Sequence, residues 1–304
     1  MPLVLLHGIA QENHTEESLQ KLWCDSLVQG LDYAGIDLNL NDMHISIPYY
    51  GLLLAGLPVP ERAKSGRPVD VDDQPRSSAA TISASAAMQR EIIDELNRKR
   101  GLTSIDDQPR GPKNTFLGVL ERLLSDKQQA RIVDLVITQT AAYFTTAGIR
   151  ERIQSRAQSA LQAANQARTD KDPNLVVVGH SLGSVVGMEA LSAWVDSAID
   201  LFVTIGSPLG IGSVHSRLTD APARWPSKLK RWINVADRDD AVAVYGVLDR
   251  SNLFKRVTES NRAAAAHVFN IVDVKNHMPN HHGIAGYLDD PVVARVIRDG
   301  IVER

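Results

Sequence analysis

The sequence predicts an α/β protein with a mostly parallel central sheet flanked by helices, and three observations predict it. First, Leu175, Val176, Val177 and Val178 form a β-branched-rich apolar run without polar alternation, the pattern of a parallel strand buried on both faces. Second, this run passes through Gly179, His180, Ser181, Leu182 and Gly183 into Val185, Val186, Met188, Leu191 and Trp194 at helical spacing, so strand and helix meet at one tight turn. Third, similar runs recur at residues 3–6 and 201–205, with helical patterns between them. With 304 residues, 43% of them hydrophobic, the chain has room for one large domain of this kind carrying an insertion.

Charge and cysteine usage narrow the partners. A formal net charge of -3 gives no general attraction to polyanions, so no nucleic-acid partner is expected. Cys24 is the single cysteine, which rules out an intramolecular disulfide and fits a cytoplasmic location. The opening residues Met1, Pro2, Leu3, Val4, Leu5 and Leu6 lack a basic segment, and their apolar run is too short for a signal peptide. No stretch approaches membrane-spanning length, so no integral membrane segment is expected.

Taken in order, residues 3–6 read as a buried strand ending at His7 and Gly8. Glu16 to Tyr33 carries Leu19, Leu22, Trp23, Leu27 and Leu31 at helical intervals, an amphipathic helix for packing on the sheet, with Cys24 read as a core thiol. Residues 44–50 read as a second strand, closed by Gly51. Residues 51–171 read as a largely helical insertion. It holds an apolar run at 52–57, a Pro-, Asp- and Arg-rich loop at 58–78, and helical patterns at 79–98, 114–128 and 129–167. The pentapeptide DDQPR occurs at 72–76 and again at 106–110; nothing around the copies matches, so it reads as turn chemistry and not as a repeat. Strands follow at 175–178, 201–205, 231–236 and 268–272, which leaves a core of residues 1–50 and 172–304 around the insertion.

The turn at Ser181 carries the chemistry. A turn this sharp drives its middle residue into an unfavourable backbone conformation, and the residues two before and two after must lack bulk, as Gly179 and Gly183 do. It lifts the hydroxyl clear of the sheet and aims the first N–H groups of the helix, beginning with Leu182, at whatever the hydroxyl attacks. In these residues the sequence resembles the α/β-hydrolase superfamily, and within it the serine esterases and lipases. The resemblance covers roughly the first sixth and the last two-fifths of the chain. It implies the α/β-hydrolase fold with a reduced sheet beginning at Leu3, and an insertion that serves as cap or lid. The run at 52–57 and the helix around Tyr143 and Phe144 are then candidate acyl-pocket walls, the alternative being that they only pack the insertion. It further implies that the His7–Gly8 pair shapes a loop whose Ile9 N–H is the second oxyanion donor, beside Leu182.

A serine hydroxyl is a poor nucleophile until a positioned base takes its proton, and the family supplies acid and base after the nucleophile, in the order Ser, Asp, His. Asp240, followed by Ala241 and Val242 in the family manner, is the candidate acid, with Asp237 as alternative. His282, followed by Gly283 and Tyr287, is the candidate base, with His281 as alternative; Ser207 lacks the flanking glycines of a nucleophile. A zinc site at His277, His281 and His282 is disfavoured because Pro279 interrupts a regular helix and no HExxH motif supplies a glutamate. The resemblance therefore implies a carboxylesterase or lipase-like enzyme that cleaves a small-molecule or lipid ester through an acyl-enzyme, with no cofactor and no metal. Thioester or amide hydrolysis, or a non-catalytic scaffold that binds a protein partner, are the alternatives.

Overall fold

The computed structural model describes residues 1–55, 79–99, 120, 124, 126–219, 225–249, 251–253 and 268–302. Among them, β1 (Pro2–Leu6), β2 (His44–Ser46), β3 (Val176–His180), β4 (Leu201–Ile205), β5 (Trp232–Asp237) and β6 (Val268–Val274) form one six-stranded sheet. The helices are α1 (Glu16–Tyr33), α2 (Gly51–Ala55), α3 (Ala79–Lys99), α4 (Lys127–Thr145), α5 (Ile149–Gln166), α6 (Leu182–Ala193), α7 (Gly212–His215), α8 (Ala285–Leu288) and α9 (Pro291–Val302). The strand order is β2-β1-β3-β4-β5-β6, and every neighbouring pair is parallel. This is an α/β fold.

Every residue of β1, β3 and β4 is buried, because helices cover both faces of the sheet, and this is why these strands read as unbroken apolar runs. On one face α1 and α9 pack together. Leu19, Trp23, Leu27 and Leu31 join Val293, Ala294 and Ile297 in a cluster with Leu3, Leu5, Val176, Val178, Leu201 and Val203, and Cys24 sits partly buried at its margin. On the other face Gly187 of α6 comes so close to β4 that an added Cβ would meet the Phe202 ring at 2.8 Å. Gln154 and Gln158 of α5 then donate to the Val186 and Ala190 carbonyls of α6. The amino end of α1 is set by a capping box: Ser18 N–H donates to Thr15 Oγ1, and Thr15 N–H donates to Ser18 Oγ.

By their contacts the residues group into two compact units. The first, Met1–Gly8, His14–Tyr49 and Gln154–Arg304, holds the sheet. The second comprises Ile9–Asn13 and Tyr50–Ile153, and its described elements include α2, α3 and α4. In it α3 packs on α4, burying Met88, Ile92, Ile93, Val133, Val136 and Ile137. Tyr143 meets Phe144 edge to face at 5.0 Å, and the Arg150 guanidinium lies 5.0 Å from the centre of the Phe144 ring.

Several boundaries differ from those read in the sequence. The second strand stops at Ser46 instead of residue 50, since Pro48 has no N–H to continue a ladder. The single helical pattern at 129–167 is two helices. Thr146 is extended, and Gly148 takes a φ of +77° between them, although apolar spacing continues across the break. The last strand runs beyond residue 272 to Val274. The loop at 58–78, both DDQPR copies and most of the 114–128 pattern lie outside the described residues. Among the described residues no single helix is long and apolar enough to cross a membrane.

Candidate active site

Strand order reverses between β1 and β3: the chain places β2 on one side of β1 and the later strands on the other. The connections leave the carboxyl ends of these two strands in opposite directions, and such a switch point is the usual ligand position in an open parallel sheet. Ser181 stands at this point. It directly follows β3, opens α6, and adopts φ 53° and ψ -127°. Its N–H continues the ladder to the Ile205 carbonyl at 2.9 Å, while its side chain caps nothing in α6.

The flanking glycines are required by close approach. A Cβ on Gly179 would lie 2.7 Å from the Gly183 carbonyl oxygen and 2.8 Å from Ser184 Cα, and a Cβ on Gly183 would run into the Leu6 and His7 carbonyls. Gly8, at the end of β1, faces the serine itself, since its added Cβ would sit 2.8 Å from Ser181 Cβ. Ser184 locks the turn by donating its hydroxyl to the Ser181 carbonyl at 2.6 Å. Its oxygen therefore receives the Ser207 hydroxyl proton at 2.7 Å. Ser207 in turn accepts Leu209 N–H at 3.2 Å, which accounts for that second serine as part of the scaffold.

The loops after β5 and β6 bring an acid and a base together. His282 Nδ1 lies 2.8 Å from Asp240 Oδ2 and 3.0 Å from Oδ1, with both residues buried. An ionised carboxylate only accepts, so Nδ1 carries the proton and Nε2 presents its lone pair. Burial pushes the Asp240 carboxyl upward, but His282, Val242 N–H and the Tyr287 hydroxyl outweigh it and hold the group below its ordinary range. Gly206 closes the gap behind the pair: at φ +55°, it would carry a Cβ 2.8 Å from Asp240 Oδ2 and 3.1 Å from His282 Nδ1.

His282 is tied to the serine turn through His180. The two rings lie 4.8 Å apart, and His180 Nε2 donates to the His282 carbonyl at 2.8 Å. Burial, with His282 adding to it, lowers the His180 pKa to about 3. Two polar atoms of the cluster, Ser181 Oγ and His282 Nε2, are buried without a hydrogen-bond partner. An unmade buried hydrogen bond costs about 1–3 kcal/mol.

The alternatives are placed elsewhere. Asp237 accepts Asp239 N–H at 2.8 Å and Asn276 N–H at 2.9 Å, and His281 Nδ1 stands 3.4 Å from it while donating to the Asn276 carbonyl at 3.0 Å. His277 Nε2 faces Asp289 at 3.6 Å. The three histidines thus turn to three different carboxylates. Among the described residues no group of three or more His, Cys, Asp or Glu is arranged to hold a metal ion. Leu182 opens α6, so its N–H has no carbonyl one turn earlier to receive it. Ile9, the other expected donor, is buried and belongs to the second compact unit.

Three neighbours of the pair escaped the sequence reading as contributors: His180, Gly206 and the Tyr287 hydroxyl. Only the chain positions of His180 and Gly206 signalled them, one just before Ser181 and the other opening the turn before Pro208.

The sheet and its helices define the class, an α/β protein with a polar cluster at its switch point. No protein-family model matches the chain, and no curated protein or solved structure does either.

Proposed function

We propose that this protein is a serine hydrolase of the α/β-hydrolase type that cleaves carboxylic esters, with Ser181 as nucleophile, His282 as base and Asp240 as the acid that orients it. The observation that carries this reading is a pair of buried, unpartnered atoms in one cluster. Ser181 Oγ sits on a strained turn, and His282 Nε2 is freed because Nδ1 is held by Asp240.

In the reaction, His282 Nε2 takes the Ser181 hydroxyl proton as Oγ bonds to the ester carbonyl carbon. The N–H of Leu182, at the opening of α6, receives the developing oxyanion. Collapse expels the alcohol, which leaves with the proton from His282. A water deprotonated by the same nitrogen then attacks the acyl carbon, releasing the acid and returning the proton to Ser181. The substrate is a small-molecule or lipid ester, and the single cysteine fits a cytoplasmic setting.

The test is a fluorophosphonate probe with wild type and Ser181→Ala, together with turnover of p-nitrophenyl esters across acyl lengths. Labelling and turnover that both vanish in Ser181→Ala support the reading. Absence of both in folded wild type sinks it and favours a scaffold that binds a protein partner.

A further inference from the structure

Asp240 is held by more than its histidine. Oδ1 accepts Val242 N–H at 2.8 Å and Ala243 N–H at 3.3 Å, and Oδ2 accepts the Tyr287 hydroxyl at 2.9 Å. The direction of the tyrosine bond follows from its other side: Asp237 N–H donates to the same hydroxyl oxygen at 2.9 Å. That oxygen is an acceptor from the main chain, so its single proton points to Asp240. Tyr287 is fully buried in α8, its ring 6.4 Å from that of His180.

We infer that Tyr287 is a positioning residue: its hydroxyl ties the Asp240 carboxylate to the end of β5 and so sets the orientation and basicity of His282. The inference rests on the roles proposed above for Ser181, His282 and Asp240. A carboxylate rotates broadly about its last torsion unless both oxygens are engaged. Here main-chain N–H groups hold one oxygen and Tyr287 helps hold the other, and the Nδ1–H of His282 follows the plane so fixed. The phenol also draws negative charge from the oxygen nearest the imidazole. The titratable groups around the pair are Asp237 on β5, His180 on β3 and His281 beside Asp237. Burial first, and Asp240 second, raise Tyr287 far above the ordinary tyrosine range, so it stays a donor.

Tyr287→Phe keeps the ring and deletes the proton. Without that donor Oδ2 is more negative toward the imidazole, the imidazolium is favoured, and the NMR midpoint of the ring moves to higher pH than in wild type. 3-Fluorotyrosine at position 287 is a stronger donor of nearly the same shape. It moves the midpoint the other way, and it decides the matter if Tyr287→Phe does not fold. In ester turnover Tyr287→Phe lowers kcat about tenfold with KM within about twofold, and the acid limb of kcat/KM moves up with the NMR midpoint. A merely structural role would reduce Tm and the titre of active sites and leave the midpoint in place. Midpoints unmoved in both variants overturn the inference whether or not the protein hydrolyses esters. Shifted midpoints in a protein that neither binds the probe nor turns over ester overturn the hydrolase reading and leave the control of His282 by Tyr287 standing.

Discussion

His180 holds His282 by its main chain: the His180 Nε2–H donates to the His282 carbonyl at 2.8 Å, and the two rings lie 4.8 Å apart at 34°. A carbonyl oxygen only accepts, so His180 is fixed in the Nε2–H tautomer while His282 carries its proton on Nδ1. His180 is thus a brace that burial keeps neutral down to about pH 3, and His282 keeps its second nitrogen available.

That brace makes stability depend on pH. Burial lowers His180 from 6.5 to about 3, and burial lowers His7 from 6.5 to about 4. Between pH 6.5 and about 4 the unfolded chain holds protons on both residues that the folded chain lacks. Stability is thus lost as pH falls through this window, by up to ~1.4 kcal/mol per pH unit for each histidine. Asp240, held below its ordinary value of 3.8, adds a further loss once the pH falls below that point. Urea midpoints measured from pH 7.5 downward should fall steadily below pH 6.5, and His7→Asn should show a shallower slope. A flat profile would show that neither ring is held neutral.

Gly206→Ala tests whether the space behind the pair matters. The position combines φ +55° with an added Cβ only 2.8 Å from Asp240 Oδ2. Strain at positive φ costs about 1–3 kcal/mol, and misplacing catalytic groups by about 1 Å can cost on the order of 100-fold in rate. Turnover should therefore fall far more than stability does, with kcat and Tm as the two readouts. Wild-type kcat in the variant would mean that Asp240 and His282 can shift without consequence.

Much of this arrangement was legible in the residues, and the rest was hidden for identifiable reasons. The buried strands 3–6, 175–178 and 201–205 announced themselves because two covered faces leave no polar alternation, and the glycines around Ser181 were readable because a direct strand-to-helix turn has no room for Cβ atoms. The break at Thr146 to Gly148 was hidden because apolar residues keep helical spacing across it. Asp237 and Asp240 lie three residues apart and His281 and His282 are adjacent, so composition could not separate them. Three-dimensional pairing does, sending His281 toward Asp237 and His282 toward Asp240. The Tyr287 bond to Asp237 N–H spans 50 positions, and the His180 bond to the His282 carbonyl spans 102. No local pattern encodes such separations.

Asp200 offers a control at the far end of the sheet. Just before β4, it accepts Leu175 N–H at 2.8 Å, Arg168 Nη2 at 3.0 Å and Lys230 Nζ at 2.7 Å. Asp200→Ala leaves the Leu175 N–H just before β3 and the largely buried Arg168 without their carboxylate, a loss of about 2–4 kcal/mol. The amino ends of β3 and β4 lie opposite the Ser181 turn, so turnover per probe-labelled molecule should stay at the wild-type level while Tm drops. A fall in that ratio would indicate coupling between the two ends of the sheet.

Ser181 itself should be a stability liability. Its φ of 53° and ψ of -127° fall in territory open mainly to glycine, and its hydroxyl is buried without a partner. Ser181→Ala removes the unmet hydroxyl and keeps the backbone strain, a gain of about 1 kcal/mol. Ser181→Gly removes both, and the extra freedom of glycine in the unfolded chain offsets part of that gain. Both variants should therefore unfold at higher urea than wild type while losing fluorophosphonate labelling altogether. If both were instead less stable, the turn would be a relaxed part of the fold and the hydroxyl would have a partner in solution. The strain would then no longer argue for a nucleophile at this position.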